Sequence, residues 1–460
     1  MKLLGIDIGT TSISFTVMEK ESKALVKASA VSNESFMKTG NSWEKIQNAA
    51  EIEKIVTETV EKLFAEFRDI VSIGLTGQMH GILYTDCRGN CASPLYTWQD
   101  GRGNRPVFEG KSLTETIYKE TGVQVYTGYG WVTHLYNQRK NLVPETAVSF
   151  CTIADYIGMK LTGREQPLIH SSMAASFGFF DLEKNQFRKD ALELLGINCG
   201  IMPEISDKIS VLGEFDGVPV YTAIGDNQAS VLGAAGREPG TILVNMGTGG
   251  QISVISDRNI QVPGIETRPF LDGNYLLVGA SLCGGRAYAV LENFFRQYGK
   301  AAGTGDRVQY DVMEKILEQN ETADPLKVRT TFQGTRTDPE RRGSIEGISE
   351  NNFTPAALIQ GVLDGMAQEL YEMYCEIRSQ VSLDVSTMTA AGNGVRKNRY
   401  LQKAFEKIFD KKLVLAPYKE EAACGAAMSC CRLSKDNTEN SLQSRMLKEE
   451  KKSRKTGSDR

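Results

Sequence analysis

Two acidic residues stand where an apolar run meets a glycine turn, and each has a setting suited to phosphate or proton chemistry. Asp7 ends the run Leu3-Leu4-Gly5-Ile6 and leads through Ile8 into Gly9-Thr10-Thr11-Ser12. A tight glycine turn exposes backbone N–H groups and neighbouring hydroxyls add donors, so Thr10, Thr11 and Ser12 form a phosphate cradle, with a carboxylate beside it placed to hold a magnesium ion through water. An ordinary hairpin whose Asp and Thr merely suit the turn fits the same residues. Repetition favours the cradle. Thr241-Ile242-Leu243-Val244-Asn245-Met246-Gly247-Thr248-Gly249-Gly250 repeats the pattern about half the chain later. Two related domains would then each offer one phosphate loop to a shared cleft.

The second acid is Asp226. Val218 to Ile224 reads as a strand, Gly225 as a turn and Asn227 to Ala235 as a small-residue helix. At a helix start the dipole favours the ionised carboxylate. That suits an N-cap and equally a general base.

Further loops carry groups that fit a sugar and a nucleotide. The strand through Val71, Ile73 and Leu75 runs into Gly77-Gln78-Met79-His80-Gly81. Ligands collect at the carboxyl ends of strands in α/β sheets, so this reads as a substrate loop, although a lone histidine is more often structural. Tyr96-Thr97-Trp98-Gln99-Asp100-Gly101-Arg102 sets an aromatic wall beside planar polar groups, the mixture that packs on sugar rings and fixes hydroxyls. A solvated loop with an Asp100–Arg102 pair is the alternative. Thr127-Gly128-Tyr129-Gly130-Trp131 either closes over the same pocket or turns over a core aromatic, and Ser171-Ser172-Met173-Ala174-Ala175-Ser176 permits close packing without naming any chemistry. In the second half, Gly392-Asn393-Gly394 follows the strand Thr387 to Ala391 and precedes a helix beginning near Asn398. Its bare backbone lets a nucleobase lie flat.

The elements that must position these groups are legible from periodicity. Ile52, Ile55, Val56, Val60, Leu63, Phe64 and Phe67 recur at helical spacing, and Thr354-Pro355 is a cap and first turn for a long helix with Leu358, Val362, Met366, Leu370, Met373 and Ile377 on one face. Gly284-Gly285 opens another helix, while 299–352 reads as loop-rich, its Arg341-Arg342-Gly343 a solvated basic turn. A length of 460 residues predicts two or three domains. The net charge of −4 is spread along the chain, which argues against a nucleic-acid face. No uninterrupted apolar stretch reaches membrane-spanning length, and the N-terminal one is broken at Asp7, unlike a signal peptide. A cytoplasmic protein with nine free cysteines is expected, Cys87 and Cys91 flanking a hairpin turn. The apolar period ends after Cys430, and Ser434 to Arg460 is expected to be disordered.

In order, Asp7-Ile8-Gly9-Thr10-Thr11-Ser12, Gly77-Gln78-Met79-His80-Gly81, Gly225-Asp226-Asn227-Gln228, Gly247-Thr248-Gly249 and Gly392-Asn393-Gly394 resemble the motifs of the FGGY carbohydrate kinases, relatives of actin and hexokinase. The resemblance covers about residues 1 to 433. It implies an α/β fold of two RNase H-like domains with a cleft between them: 1–236 binding sugar and catalysing, 237–433 binding nucleotide, and 434–460 a charged tail. It implies ATP-dependent phosphorylation of the terminal hydroxyl of a ketose, with ATP and Mg2+ as cofactors and Asp226 as base. Asp7 would anchor the metal. Thr10, Thr11, Ser12, Gly247, Thr248, Gly249, Gly285, Gly392, Asn393 and Asn398 would hold the nucleotide. Gln78, Met79, His80, Trp98, Asp100, Arg102, Tyr129 and Asn227 would hold the sugar. The stretches around Trp98, Tyr129 and Asp226 look most like sedoheptulokinase-like members, with xylulokinase-like members next. Asn227 is shared with the latter, and the lysine usual after Tyr129 is replaced by nothing nearer than His134. A non-catalytic sugar-responsive regulator on the same fold is the distant alternative. No nucleic-acid or membrane partner is implied, and a homodimer is one assembly open to the chain.

Overall fold

The computed structural model describes residues 1–106, 110–320, 324–335, 338, 340–381 and 387–431; the tail from Ser434 lies outside them. The chain divides into two compact units, the first comprising Met1–Gly233, Pro269–Gly273 and the described residues from Glu420, the second Ala234–Arg268 and Asn274–Lys419.

The first unit is built on a seven-stranded mixed sheet of β1 (Lys2–Ile8), β2 (Ser12–Glu19), β3 (Leu25–Ser32), β4 (Ile70–Gly77), β5 (Val211–Phe215), β6 (Val218–Tyr221) and β7 (Ile224–Gly225). Spatially the order is β5-β6-β4-β1-β2-β3, with β7 also on β4. β1 and β2 form the expected antiparallel hairpin, and β4 runs parallel to both β1 and β7. Helix α1 (Ala49–Glu66), capped by Asn48, buries Ile52, Val56, Val60, Leu63 and Phe64. Leu3, Leu4, Ile6 and Ile8 are all fully buried, because the sheet is covered on both faces and alternation is lost. One cover comes from far along the chain: the helix Glu421–Ser429 packs beneath β1 and β4. Glycine makes that approach feasible, since a Cβ on Gly5 would lie 1.9 Å from the Ala423 carbonyl oxygen and one on Gly74 1.8 Å from that of Ala426.

Two further helices bear on the site: α2 (Ser171–Ala174), continued by a 3-10 turn over Ala175–Phe177, and α3 (Asp226–Ala235).

The second unit has a six-stranded sheet of β8 (Ile242–Met246), β9 (Gly250–Ser256), β10 (Glu266–Pro269), β11 (Tyr275–Ser281), β12 (Thr387–Ala391) and β13 (Lys412–Leu415), in the order β10-β11-β9-β8-β12-β13. β8 pairs antiparallel with β9 and parallel with β12, echoing β1 between β2 and β4. Against it stand α4 (Gly284–Ala301), α5 (Tyr310–Gln319), α6 (Pro355–Gln380) and α7 (Arg399–Phe409). Thr354 caps α6 as expected, its hydroxyl accepting from the Ala357 amide. The 299–352 segment is more ordered than its sequence suggests: it contains α5 and the strand pair Lys327–Arg329 with Ser344–Glu346. Only Met313 and Leu317 of α5 are buried, too brief a stripe to register as a period. No described helix is long and apolar enough to cross a membrane.

Candidate active site

Parallel pairing decides what meets in the first unit. β1 and β4 are in register at Ile8↔Gly77, and β7 and β4 at Gly225↔Gly77. Asp7, the Gln78-Met79-His80 loop and Asp226 therefore stand at the carboxyl ends of three adjacent parallel strands, where open α/β sheets bind ligands. Asp226 is the first residue of α3, at the positive end of its dipole. Burial pushes the Asp7 carboxyl up to about 7, and the negative charges of Asp226 and Glu420 push it the same way. Such an accumulation of negative charge fits a cation. Among the described residues no three His, Cys, Asp or Glu side chains are grouped to hold a metal directly, so the fit is to an ion held through water.

The Gly9–Ser12 turn is held from behind. Gln78 N donates to Ile8 O, Asn33 Nδ2 to Gly9 O, Gln47 Nε2 to Thr10 O and Asn33 N to Thr11 O. With these carbonyls taken, the turn is left to offer its N–H groups and the hydroxyls of Thr11 and Ser12, which are exposed. Gln78 is buried and its amide is engaged: Nε2 donates to Gln47 Oε1 at 2.9 Å and Oε1 accepts from the Thr10 hydroxyl at 3.5 Å. Met79 is also buried, beside Gly225.

His80 is partly exposed and adopts a left-handed backbone, φ 71°. Its Nδ1 lies 2.7 Å from the Ser176 carbonyl oxygen. A carbonyl only accepts, so Nδ1 carries the proton and Nε2 is the ring's acceptor. The ring stacks on Tyr129 at 4.6 Å between centroids. Trp98 is 46% exposed and its indole N–H bonds to Thr10 Oγ1. Gly128, at φ 82°, lets the Tyr129 segment lie on the Trp98 backbone, where a Cβ would fall 2.0 Å from the Trp98 carbonyl oxygen. Trp131 is fully buried, as a turn over a core aromatic requires, while Tyr129 stacks on His80.

Asp100 and Arg102 are placed differently from the expectation of direct ligand contact. Both are buried, and Asp100 Oδ1 accepts from Arg102 Nε at 2.6 Å and from its amide, while Oδ2 accepts from Arg102 Nη2 and the Lys45 amide. Arg102 also bonds Asn137 and stacks on Tyr96. Their hydrogen-bonding capacity is used within the fold, so they shape the loop that carries Trp98. His134 is buried too, its Nδ1 bonded to the Tyr84 hydroxyl, and it does not substitute for a ligand-facing lysine.

In the second unit the turn Gly247-Thr248-Gly249 meets the start of α4. Gly285 N donates to Gly247 O and Arg286 N to Thr248 O. Gly392, at φ 87°, sits where a Cβ would come 2.5 Å from Asn245 Oδ1. Beside it opens a cavity of about 400 Å³ lined by Gly285, Asn393 and Asn398, together with Tyr288, Tyr310, Leu363, Met366 and Lys397. Tyr288 and Tyr310 stack at 5.6 Å. Asn398 has a structural task as well, capping α7 through the amides of Tyr400 and Leu401. Sequence reasoning missed Asn33, Gln47 and Glu420 beside the Asp7 turn of the first unit, and Tyr288 and Tyr310 in the cavity of the second; none lies in a motif, and only the folded chain brings each to its place.

Residues 2–233 match the N-terminal domain, and residues 242–434 the C-terminal domain, of the FGGY family of carbohydrate kinases. Sedoheptulokinase of Mus musculus is 26% identical over 92% of this chain and 96% of its own length. Among solved structures, xylulose kinase from Rhodospirillum rubrum superposes with a TM-score of 0.79 at 22% identity, covering 95% of this chain and 91% of that one. Plasmodium falciparum glycerol kinase with ADP gives 0.76 at 20% identity, covering 99% and 97%. With both domains matched and the strand-end acids in place, the chain belongs to the FGGY family of carbohydrate kinases and is a sugar kinase.

Proposed function

We propose that the protein transfers the terminal phosphoryl group of ATP to the primary hydroxyl of a ketose, sedoheptulose before D-xylulose. The observation that carries this reading is the set of strand ends: Asp7, Gln78 to His80 and Asp226 on three neighbouring parallel strands. The likeness to sedoheptulokinase over nearly the whole chain supports the choice of sugar, and the fold shared with xylulose kinases keeps D-xylulose as the second reading.

Phosphoryl transfer has a loose transition state, so the protein's work is alignment and charge neutralisation. The Asp226 carboxylate takes the proton of the sugar hydroxyl as its oxygen bonds to the γ-phosphorus, the bond to the bridging oxygen breaks, and ADP leaves. Asp226 is well sited for this at the head of α3, where the helix dipole complements a carboxylate. Thr10, Thr11, Ser12 and the 247–249 turn hold phosphate oxygens, while Gly285, Gly392, Asn393 and Asn398 hold the nucleoside. A magnesium ion held through water by Asp7 would supply charge neutralisation at the phosphates. Met79, His80, Trp98, Tyr129 and Asn227 line the sugar; Nε2 of His80 accepts from a hydroxyl. Gln78, Asp100 and Arg102 hold the surrounding loops. ADP release measured over sedoheptulose, D-xylulose and D-ribulose tests the reading: the highest kcat/KM on sedoheptulose is expected, and no sugar-stimulated release would overturn it in favour of a sugar-responsive regulator.

A further inference from the structure

The small-residue stretch that names no chemistry in sequence ties together two parts of the site. His170 caps α2 by accepting the Ser172 amide on Nδ1 at 3.2 Å. An amide only donates, so Nδ1 is the unprotonated nitrogen, and the Ser172 hydroxyl, 2.8 Å away, donates to it. That orientation turns the Ser172 oxygen lone pair to the Gly225 amide, which donates to it at 3.0 Å. Gly225 is the residue immediately before Asp226, and His170, Ser172 and Gly225 are all buried. The position of Asp226 at the head of α3 is thereby tied to a hydroxyl whose proton is fixed by an imidazole.

Four residues on, Ser176 does the same for the sugar loop. Its hydroxyl donates to Met173 O at 2.7 Å and accepts the His80 amide at 2.9 Å, while its carbonyl accepts the His80 ring. These two bonds to His80 hold a left-handed conformation that a non-glycine residue adopts only at a cost. Ser172 lies in α2 and Ser176 in the 3-10 turn that continues it.

We infer that Ser172, oriented by His170, and Ser176 are positioning residues of the transfer reaction: Ser172 sets Asp226, and Ser176 sets His80. The inference rests on the proposed roles of those two residues. Buried serines that merely satisfy a core would affect stability and all kinetic constants together. Positioning residues split them.

The test is steady-state kinetics on whichever of sedoheptulose and D-xylulose turns over faster, with Asp226→Asn measured alongside. Ser172→Ala lowers kcat by about ten- to a hundredfold with the sugar KM within about threefold. Ser176→Ala raises the sugar KM about tenfold, leaves the ATP KM unchanged and lowers kcat less. His170→Leu removes the acceptor that fixes the Ser172 hydroxyl and follows Ser172→Ala in kcat, whereas His170→Asn, which keeps an acceptor for both the amide and the hydroxyl, retains more of it. If Ser172→Ala does not fold, Ser172→Cys, a somewhat larger side chain with a weaker acceptor, replaces it. Unchanged kinetics in the serine variants, or kcat and KM moving together in proportion to lost melting temperature, with Asp226→Asn inactive, overturns this inference alone. Retained turnover in Asp226→Asn overturns the proposed base, and this inference with it.

Discussion

The indole N–H of Trp98 donates to the hydroxyl of Thr10 at 3.1 Å, joining residues 88 positions apart. The aromatic proposed to face the sugar and the turn proposed to hold phosphate are thus mechanically one object, and through Gln78 and Gln47 the bond extends to the strand ends. Trp98→Phe keeps an aromatic face and removes the donor. A neutral hydrogen bond contributes about 1 kcal/mol, so the sugar KM should rise severalfold with little change in melting temperature; an unchanged KM would show the bond to be incidental.

Asp226→Asn keeps the shape of the side chain and its place at the head of α3, and removes the proton acceptor. Turnover should fall by two orders of magnitude or more, about the scale of general-base catalysis. Sugar binding, followed by quenching of tryptophan fluorescence, should stay within about threefold of the parent. Substantial kcat in this variant would assign the base elsewhere.

Gly74→Ala should be one of the most damaging single-methyl changes in the molecule. Its Cβ would lie 1.8 Å from the backbone oxygen of Ala426, and backbone cannot rotate away as a side chain can. The expected loss is about 3 kcal/mol, read as a lower urea midpoint. All three tryptophans, Trp43, Trp98 and Trp131, lie in the first unit, so their fluorescence reports its unfolding. Gly40→Ala, with nothing within 4 Å of the new methyl, is the control and should be nearly neutral.

Acid should destabilise the first unit through its buried histidines. Burial lowers His134 from 6.5 to about 4 and His170 likewise. Their folded-state values lie below the unfolded ones, so the unfolded chain takes up protons first: the stability is present above about 6.5 and is lost as pH falls toward 4. Each shift corresponds to about 3 kcal/mol at full loss. His134→Gln should flatten this limb of the stability profile; an unaltered slope between pH 6.5 and 4 would count against a neutral His134.

Asp155 acts with the opposite sign. Burial raises its carboxyl to about 7 despite the hydrogen bonds from Thr152, and its Oδ1 has no partner among the described residues. The folded state holds the proton more tightly than the unfolded one, so stability is full below about 4 and falls as pH rises toward 7, by about 4 kcal/mol. Asp155→Asn retains an acceptor for the Thr152 cap. It should unfold at higher urea than the parent above pH 7, and a lower midpoint there would refute the assignment.

What the amino-acid sequence determined is local. Asp7 before Gly9, Asp226 after Gly225 and Gly392 after Ala391 are each an apolar strand ending in a turn, and strand period, turn residues and helix start are properties of a few consecutive residues. Those residues were legible one by one, as was the cap at Thr354; the cap at Asn48 was seen only in the structure. The repeat at Asn245 extended the reading to two related units. Partner choice was decided only by the tertiary structure. Asp100 and Arg102 carry the same side chains whether they face a sugar or each other, and burial beside Asn137 and Tyr96 settles it. Ser172 and Ser176 acquire meaning only because β4 and β7 run in parallel register and bring His80 and Gly225 to α2 and the 3-10 turn that continues it. The helix Glu421–Ser429 reaches β1 only because Gly5 and Gly74 lack side chains. Contacts between residues far apart in the chain leave no period in the sequence; close packing and the need to satisfy every buried polar group select them.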